Sequence, residues 1–242
     1  MFELWINPHA TTCGVDVDEI RQALVVLPPA GEPNVLLNDK ATLTATCTAR
    51  RDIACGEAVA GEDLEAVSDL RPFGIDPAAG WMAFASIPGH GLIVSFDFRY
   101  DKPRASEHLA LARDYLATAL DAVAAGRLGP AVEAGFTAAE LAVKAMHLLQ
   151  VFPVNKRSAH KARLTWLNWY TIRDGNGSPT WFPSVRRLES LRSAARYSEG
   201  GPLPGPAELE ALLDHVQELV DHAGERAAER AQEDRNVVNR TG

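Results

Sequence analysis

Across residues 105–150, apolar positions recur every three to four residues in two blocks, broken at Gly126-Arg127-Leu128-Gly129-Pro130. That spacing sets one side of each block against a core and predicts two amphipathic helices. The first, over 104–125, carries Leu109, Ala112, Leu116, Leu120 and Val123 on one face. The second, over 130–150, carries Val132, Phe136, Ala139, Val143 and Met146, with Glu140 and Lys144 spaced as an intrahelical pair. After Phe152-Pro153-Val154 a third helix is predicted over 156–172, with His160, Leu164 and Leu167 on one face and Trp166, Trp169 and Tyr170 adding bulk. A fourth, over 181–197, turns Trp181, Val185, Leu188, Leu191 and Ala195 inward. The last, from 206, repeats Leu209, Leu212, Leu213, Val216, Leu219 and Val220. Beyond 224 the charges are mixed and apolar anchors few, which predicts a frayed helix end and a flexible tail over 225–242.

The first hundred residues follow a different rhythm. Segments 2–6, 24–27, 35–37 and 41–48 lean towards strand, the last alternating threonine with small or apolar residues. Residues 17–23 and 61–70 have helical character, the former with Asp16 as N-cap. Residues 81–87 and 92–100 flank Pro88-Gly89-His90-Gly91 and predict a hairpin. In its second strand Leu92, Val94, Phe96, Phe98 and Tyr100 alternate with Ile93, Ser95, Asp97 and Arg99, which predicts the first set facing a core and the second facing out. Asp101-Lys102-Pro103 marks the boundary, since proline suits a first helical turn. The expected fold class is α+β. A small α+β domain with an antiparallel sheet (1–101) precedes an all-α up-and-down bundle of about five helices (102–224).

At 46% hydrophobic and 23% charged, the 242 residues have ample material for cores. No apolar run approaches the roughly 20 residues that cross a bilayer. The N-terminus has Glu3 and no basic stretch, so neither a signal peptide nor a membrane partner is expected, and the setting is read as cytoplasmic. Three cysteines, Cys13, Cys47 and Cys55, are too few and wrongly spaced for a disulfide framework or a metal site, and no cofactor is expected. Cys13 beside Gly14 has no base next to it in sequence, and His9 and His90 read as loop residues.

Charge changes the picture. Residues 1–100 hold 6 Lys/Arg against 14 Asp/Glu, an acidic excess suited to solubility or to a basic protein partner for residues 1–101. Residues 155–196 hold 9 Lys/Arg against Asp174 and Glu189 alone. Lys156, Arg157, Lys161, Arg163, Arg187, Arg192 and Arg196 are the candidate phosphate or nucleic-acid ligands of that stretch, with Trp166, Trp169 and Trp181 as candidate base-stacking side chains. Solvated helix faces and core aromatics are the plainer explanations of the same residues.

Residues 115–149, YLATALDAVAAGRLGPAVEAGFTAAELAVKAMHLL, with LRSAARY at 191–197 before a loop and a long apolar helix, resemble HEPN domains, the higher-eukaryote and prokaryote nucleotide-binding family. The similarity covers about 104–223 and none of the first hundred residues. It implies a bundle that dimerises and a link to RNA, nucleotides, toxin–antitoxin pairs or antiviral defence. Active ribonucleases of that family carry Arg, four to six residues, then His, with arginine stabilising phosphorane charge and histidine moving protons. Here no histidine stands at that spacing: His108 follows Arg104 by four positions and His160 follows Arg157 by three. Where a histidine would serve on the fourth helix there is Arg192, a poor proton shuttle. The expectation is therefore an RNA- or nucleotide-binding or interaction protein, homodimeric through the bundle and without the usual nuclease activity. A metal-independent ribonuclease using Arg157 and His160 in a nonstandard arrangement is one alternative, and a dimeric protein-interaction scaffold is the other.

Overall fold

The computed structural model describes residues 1–150, 159–197, 199 and 201–228, with residues 159 and 160 known by backbone only. The described chain divides at Asp101 into an α+β unit and a helical unit.

The α+β unit opens with a helical turn, Phe2–Ile6, that runs into α1 (Asn7–Cys13). A short 3₁₀ turn follows at Val17–Glu19, where the Asp18 amide donates to the Asp16 carboxylate. Strands β1 (Gln22–Leu27), β2 (Asn34–Leu37), β5 (Gly80–Ile87) and β6 (Gly91–Asp97) form an antiparallel sheet in the order β2-β1-β5-β6. Strands β3 (Leu43–Ala49) and β4 (Leu64–Pro72) form a separate hairpin-like pair. One face of the sheet, built from Ala23, Val25, Val35, Leu37 and Phe84, packs on Ile6 and Ala10 of the N-terminal helical segment. The other, built from Leu24, Trp81, Ala83 and Ala85, packs on Leu70 of β4, with Leu43 of β3 against it.

The hairpin expected around Pro88 is present: β5 and β6 pair from Trp81↔Asp97 to Ile87↔Gly91, and Gly89 and Gly91 take the positive φ of 84° and 76° that the turn requires. Four local expectations are corrected. The helix expected over 17–23 is only the 3₁₀ turn at Val17–Glu19, and Gln22 and Ala23 belong to β1, where pairing with β2 and β5 holds them extended. Residues 2–6 are helical, not a strand, because Phe2 and Ile6 pack against the sheet face, with the Phe2 ring 4.9 Å from that of Phe84. The helix expected over 61–70 exists only as a 3₁₀ turn at Gly61–Asp63. The rest is β4, held by pairing with β3. The facing of β6 is inverted. Leu92, Val94 and Phe96 are 55%, 49% and 45% exposed, whereas Ile93 packs against the Leu24–Trp81 core. Val94 lies opposite Phe84, which is only 2% exposed, but the helical segment that covers Phe84 does not shelter β6.

The helical unit contains α2 (Lys102–Ala124), α3 (Leu128–Leu148), α4 (Ala159–Asn168) continued by a π turn at Trp169–Arg173, α5 (Trp181–Tyr197) and α6 (Pro206–Ala227). These are the five helices the periodicity predicts, although the start of the third falls at 156–158, outside the described residues. Every expected inward position of α3 is buried, and on α2 Ala119 takes the place expected of Leu120, which is 41% exposed. Alanines at the α2–α3 contact let the backbones approach closely. A Cβ added at Gly135 would lie 2.5 Å from Leu213 Cδ2, so α3 and α6 meet where only hydrogen fits. Beyond Gly224 helix α6 continues to Ala227, in keeping with the helix end expected there, and residues 229–242, where the tail was expected, lie outside the described residues. No described helix is long and apolar enough to cross a membrane.

Candidate functional site

The arginines expected to form a cationic surface are placed by α4 and α5, and each described one meets a carboxylate. Arg163 NH2 donates to Glu140 Oε1 at 2.6 Å, so Glu140 is tied across helices. Arg187 donates through Nε and NH2 to Glu208 Oε1 at 3.1 and 2.9 Å, and Arg186 pairs with Glu189. Arg192 Nε donates to Glu133 Oε1 at 3.3 Å and Arg196 NH2 to Glu133 Oε2 at 2.5 Å. The Arg192 guanidinium also sits 4.4 Å from the centre of the Phe136 ring, a cation–π geometry. Glu133, Phe136 and Glu140 are three, then four, residues apart and share one side of α3. The structure thus brings Arg163, Arg192 and Arg196 to that side, while Arg187 is tied to α6. Lys161 is exposed on α4. Lys156 and Arg157 lie outside the described residues, as does the side chain of His160, so the expected Arg157–His160 constellation falls there too.

Exposed pairs of this kind contribute about 0–1 kcal/mol each to stability. Their effect on recognition is larger. A guanidinium neutralised at contact distance adds little field beyond the screening length of about 8 Å at physiological salt. Five arginines are answered by four glutamates, so each of these arginines is paired where it sits. The small cleft lined by Phe136, Glu140, Val143, Arg163, Leu164 and Val185 leaves the buried Arg163 Nε with no hydrogen-bond partner.

A second arrangement has no counterpart in the sequence expectations. His147 of α3, Trp166 and Tyr170 of α4 and its π turn, Trp181 of α5 and His222 of α6 form a row of rings. The centroids are 4.4 Å apart for His147–Trp166, 4.7 Å for Trp166–Tyr170 and 4.9 Å for Trp181–His222. The Tyr170 hydroxyl and His222 Nε2 share a hydrogen bond of 2.9 Å, and Trp181 Nε1 donates to Glu218 Oε2 at 3.3 Å. Next to this row, Ser184 Oγ and His215 Nδ1 are hydrogen bonded at 2.8 Å. Burial, aided by the Arg163 guanidinium, lowers the His147 pKa to about 4, and neither of its ring nitrogens has a partner. Burial first, then Arg226, lowers that of His222. Both imidazoles are therefore neutral at physiological pH. Ser184 is 5% exposed, so its bond to His215 ties α5 to α6 and offers no open nucleophile. The row explains where the candidate stacking residues went. Trp181 is buried, Trp166 is stacked inside, and Trp169 is the one of the three that is exposed. The spacing of His215, Glu218 and His222 along α6 is the sequence signal that marks its side of the row.

In the α+β unit, His9 proves to be on α1 and not in a loop, with its Nε2 3.4 Å from Cys13 Sγ. Cys13 is the last residue of that helix. Cys13, Cys47 and Cys55 are all exposed free thiols. Among the described residues no three His, Cys, Asp or Glu side chains converge as a metal site requires. No protein-family model and no curated protein sequence matches the chain.

Proposed function

We propose that the chain is a non-catalytic interaction protein of the cytoplasm, in which a HEPN-like bundle is joined to an α+β unit and works by holding a partner. The observation that carries this reading is the pairing of Arg163, Arg186, Arg187, Arg192 and Arg196 with glutamates, because locally satisfied charges suit a protein partner better than a polyanion. Leu111 and Tyr115, one turn apart and exposed on α2, support a homodimer formed through the bundle. Native mass spectrometry of the purified chain tests both points. The expected result is a dimer without co-purified nucleic acid, together with no gel shift of a short mixed-sequence RNA at low salt. A salt-sensitive shift overturns the reading.

One observation favours RNA or a nucleotide as the ligand instead. Arg192 and Arg196 share the single carboxylate of Glu133, which leaves one surplus positive charge beside the Phe136 ring. A phosphate able to take both guanidinium groups would displace Glu133 at a cost of about 1 kcal/mol or less. Titration with a nucleoside triphosphate and with short RNA, each followed against salt, separates this reading from the first.

A further inference from the structure

Strand β6 is the end strand of its sheet, and among the described residues no strand pairs along its outer side. Sheet edges are ordinarily blunted by shortness, proline or outward charge. The opposite edge meets that rule: β2 has four residues, follows Pro33, and has Val35 and Leu37 buried. β6 does not. It has seven residues, and from Gly91 to Phe96 it contains neither proline nor a charged side chain. Its one ionic residue, Asp97, is held by Arg99, which donates to both carboxylate oxygens at 2.8 and 2.9 Å. Leu92, Val94 and Phe96 line up along this edge and are exposed. Phe98, 5.1 Å from the Phe96 ring, extends the row.

We infer that the outer edge of β6 is a docking site for an extended partner segment that adds as a fifth strand, with apolar side chains at alternate positions beside Leu92, Val94 and Phe96 and basic residues at its flanks. Main-chain hydrogen bonds to the open edge provide attachment, and cross-strand contacts about 5 Å apart select apolar residues at every second position. The basic flanks follow from charge. The first hundred residues hold 14 carboxylates against 6 Lys/Arg, a field that attracts a cationic segment and repels a second copy of the same unit. This inference builds on the interaction role proposed above but not on the helical unit, so RNA binding by the bundle would leave it standing.

The test uses the full chain and a fluorescent synthetic peptide of alternating valine and threonine flanked by lysines. Three comparisons accompany it: the same peptide flanked by glutamates, the same peptide with alternate amides N-methylated, and the protein variants Val94→Lys and Val94→Pro. Val94→Lys changes an exposed side chain and keeps the fold, which the thermal melt verifies. Val94→Pro is read only where its melt matches. The expected result is saturable binding of the lysine-flanked peptide, weakened about tenfold or more by N-methylation, by glutamate flanks and by Val94→Lys. Absence of binding overturns the inference. So does equal binding of the N-methylated peptide, which would show that the edge is not used. Self-association that disappears in Val94→Lys while the peptide fails to bind assigns the edge to a second copy and overturns the cationic partner.

Discussion

Replacing His147 with phenylalanine asks whether a neutral imidazole is trapped in the ring row. The unfolded chain protonates this group near its ordinary pKa of about 6.5, whereas the folded chain protonates it only at about 4. Above about pH 6.5 both states are neutral and the group adds no pH dependence. As pH falls from there towards 4 the unfolded state binds the proton first, so stability is lost on acidification. Full linkage gives about 2 kcal/mol of loss by about pH 5, and partial solvent contact of the ring reduces this to about 1 kcal/mol. His147→Phe retains a ring against Trp166 and removes two buried nitrogens that have no partner, so at neutral pH it is neutral or stabilising by up to about 1 kcal/mol. Urea denaturation of both proteins at about pH 7.5 and about pH 5 measures the difference, and His108 and His222, whose pKa values are also lowered, cancel in the comparison. If both proteins lose the same stability between those pH values, His147 is not held neutral and the reasoning fails.

Three other perturbations reach different parts of the molecule. Glu133→Gln releases Arg192 and Arg196 from their shared carboxylate; the melting temperature should hardly move, while short RNA should bind measurably tighter at low salt than to the parent, by gel shift. Tyr170→Phe deletes the hydroxyl bonded to His222 and leaves a half-buried imidazole nitrogen unanswered, a loss of about 1–2 kcal/mol in urea denaturation. Gly135→Ala drives a methyl group into Leu213, a residue with no exposed surface, and should cost about 1–3 kcal/mol, read as a lower melting temperature; an unchanged melt would mean the α3–α6 contact is looser than described.

The helices were legible because their signal is local. Val132, Phe136, Ala139, Val143 and Met146 repeat on one face of α3, and that face is buried whatever it packs against. In the α+β unit the strands expected at 24–27, 35–37 and 41–48 and the hairpin around Pro88-Gly89-His90-Gly91 are present, whereas segments whose spacing suits either element were misread. Residues 64–72 contain spacings that fit a helix as well as a strand, and pairing with β3, more than twenty residues earlier at Thr44↔Arg71, decides the matter. The facing of β6 was misread for a related reason: alternation shows that two faces differ but not which one is covered, and the N-terminal helix covers only part of the apolar face. The charges depended on contacts that local sequence does not express. Glu133 and Arg196 are 63 positions apart and Glu140 and Arg163 are 23 apart, so counting charge within 155–196 could not reveal the glutamates contributed by α3.

Every thiol of the chain is on the α+β unit, and all three are open to solvent. A maleimide dye attached to Cys13, Cys47 or Cys55 therefore reports from that unit alone, while Trp166, Trp169 and Trp181 provide an intrinsic emission signal weighted towards the helical unit. The α+β unit can thus be followed by itself without introducing a label site, whereas Trp5 and Trp81 of that unit also contribute to the tryptophan emission. The same exposure makes the purified chain prone to intermolecular disulfides in air, so an apparent dimer seen without reductant would reflect sulfur chemistry before it reflected recognition.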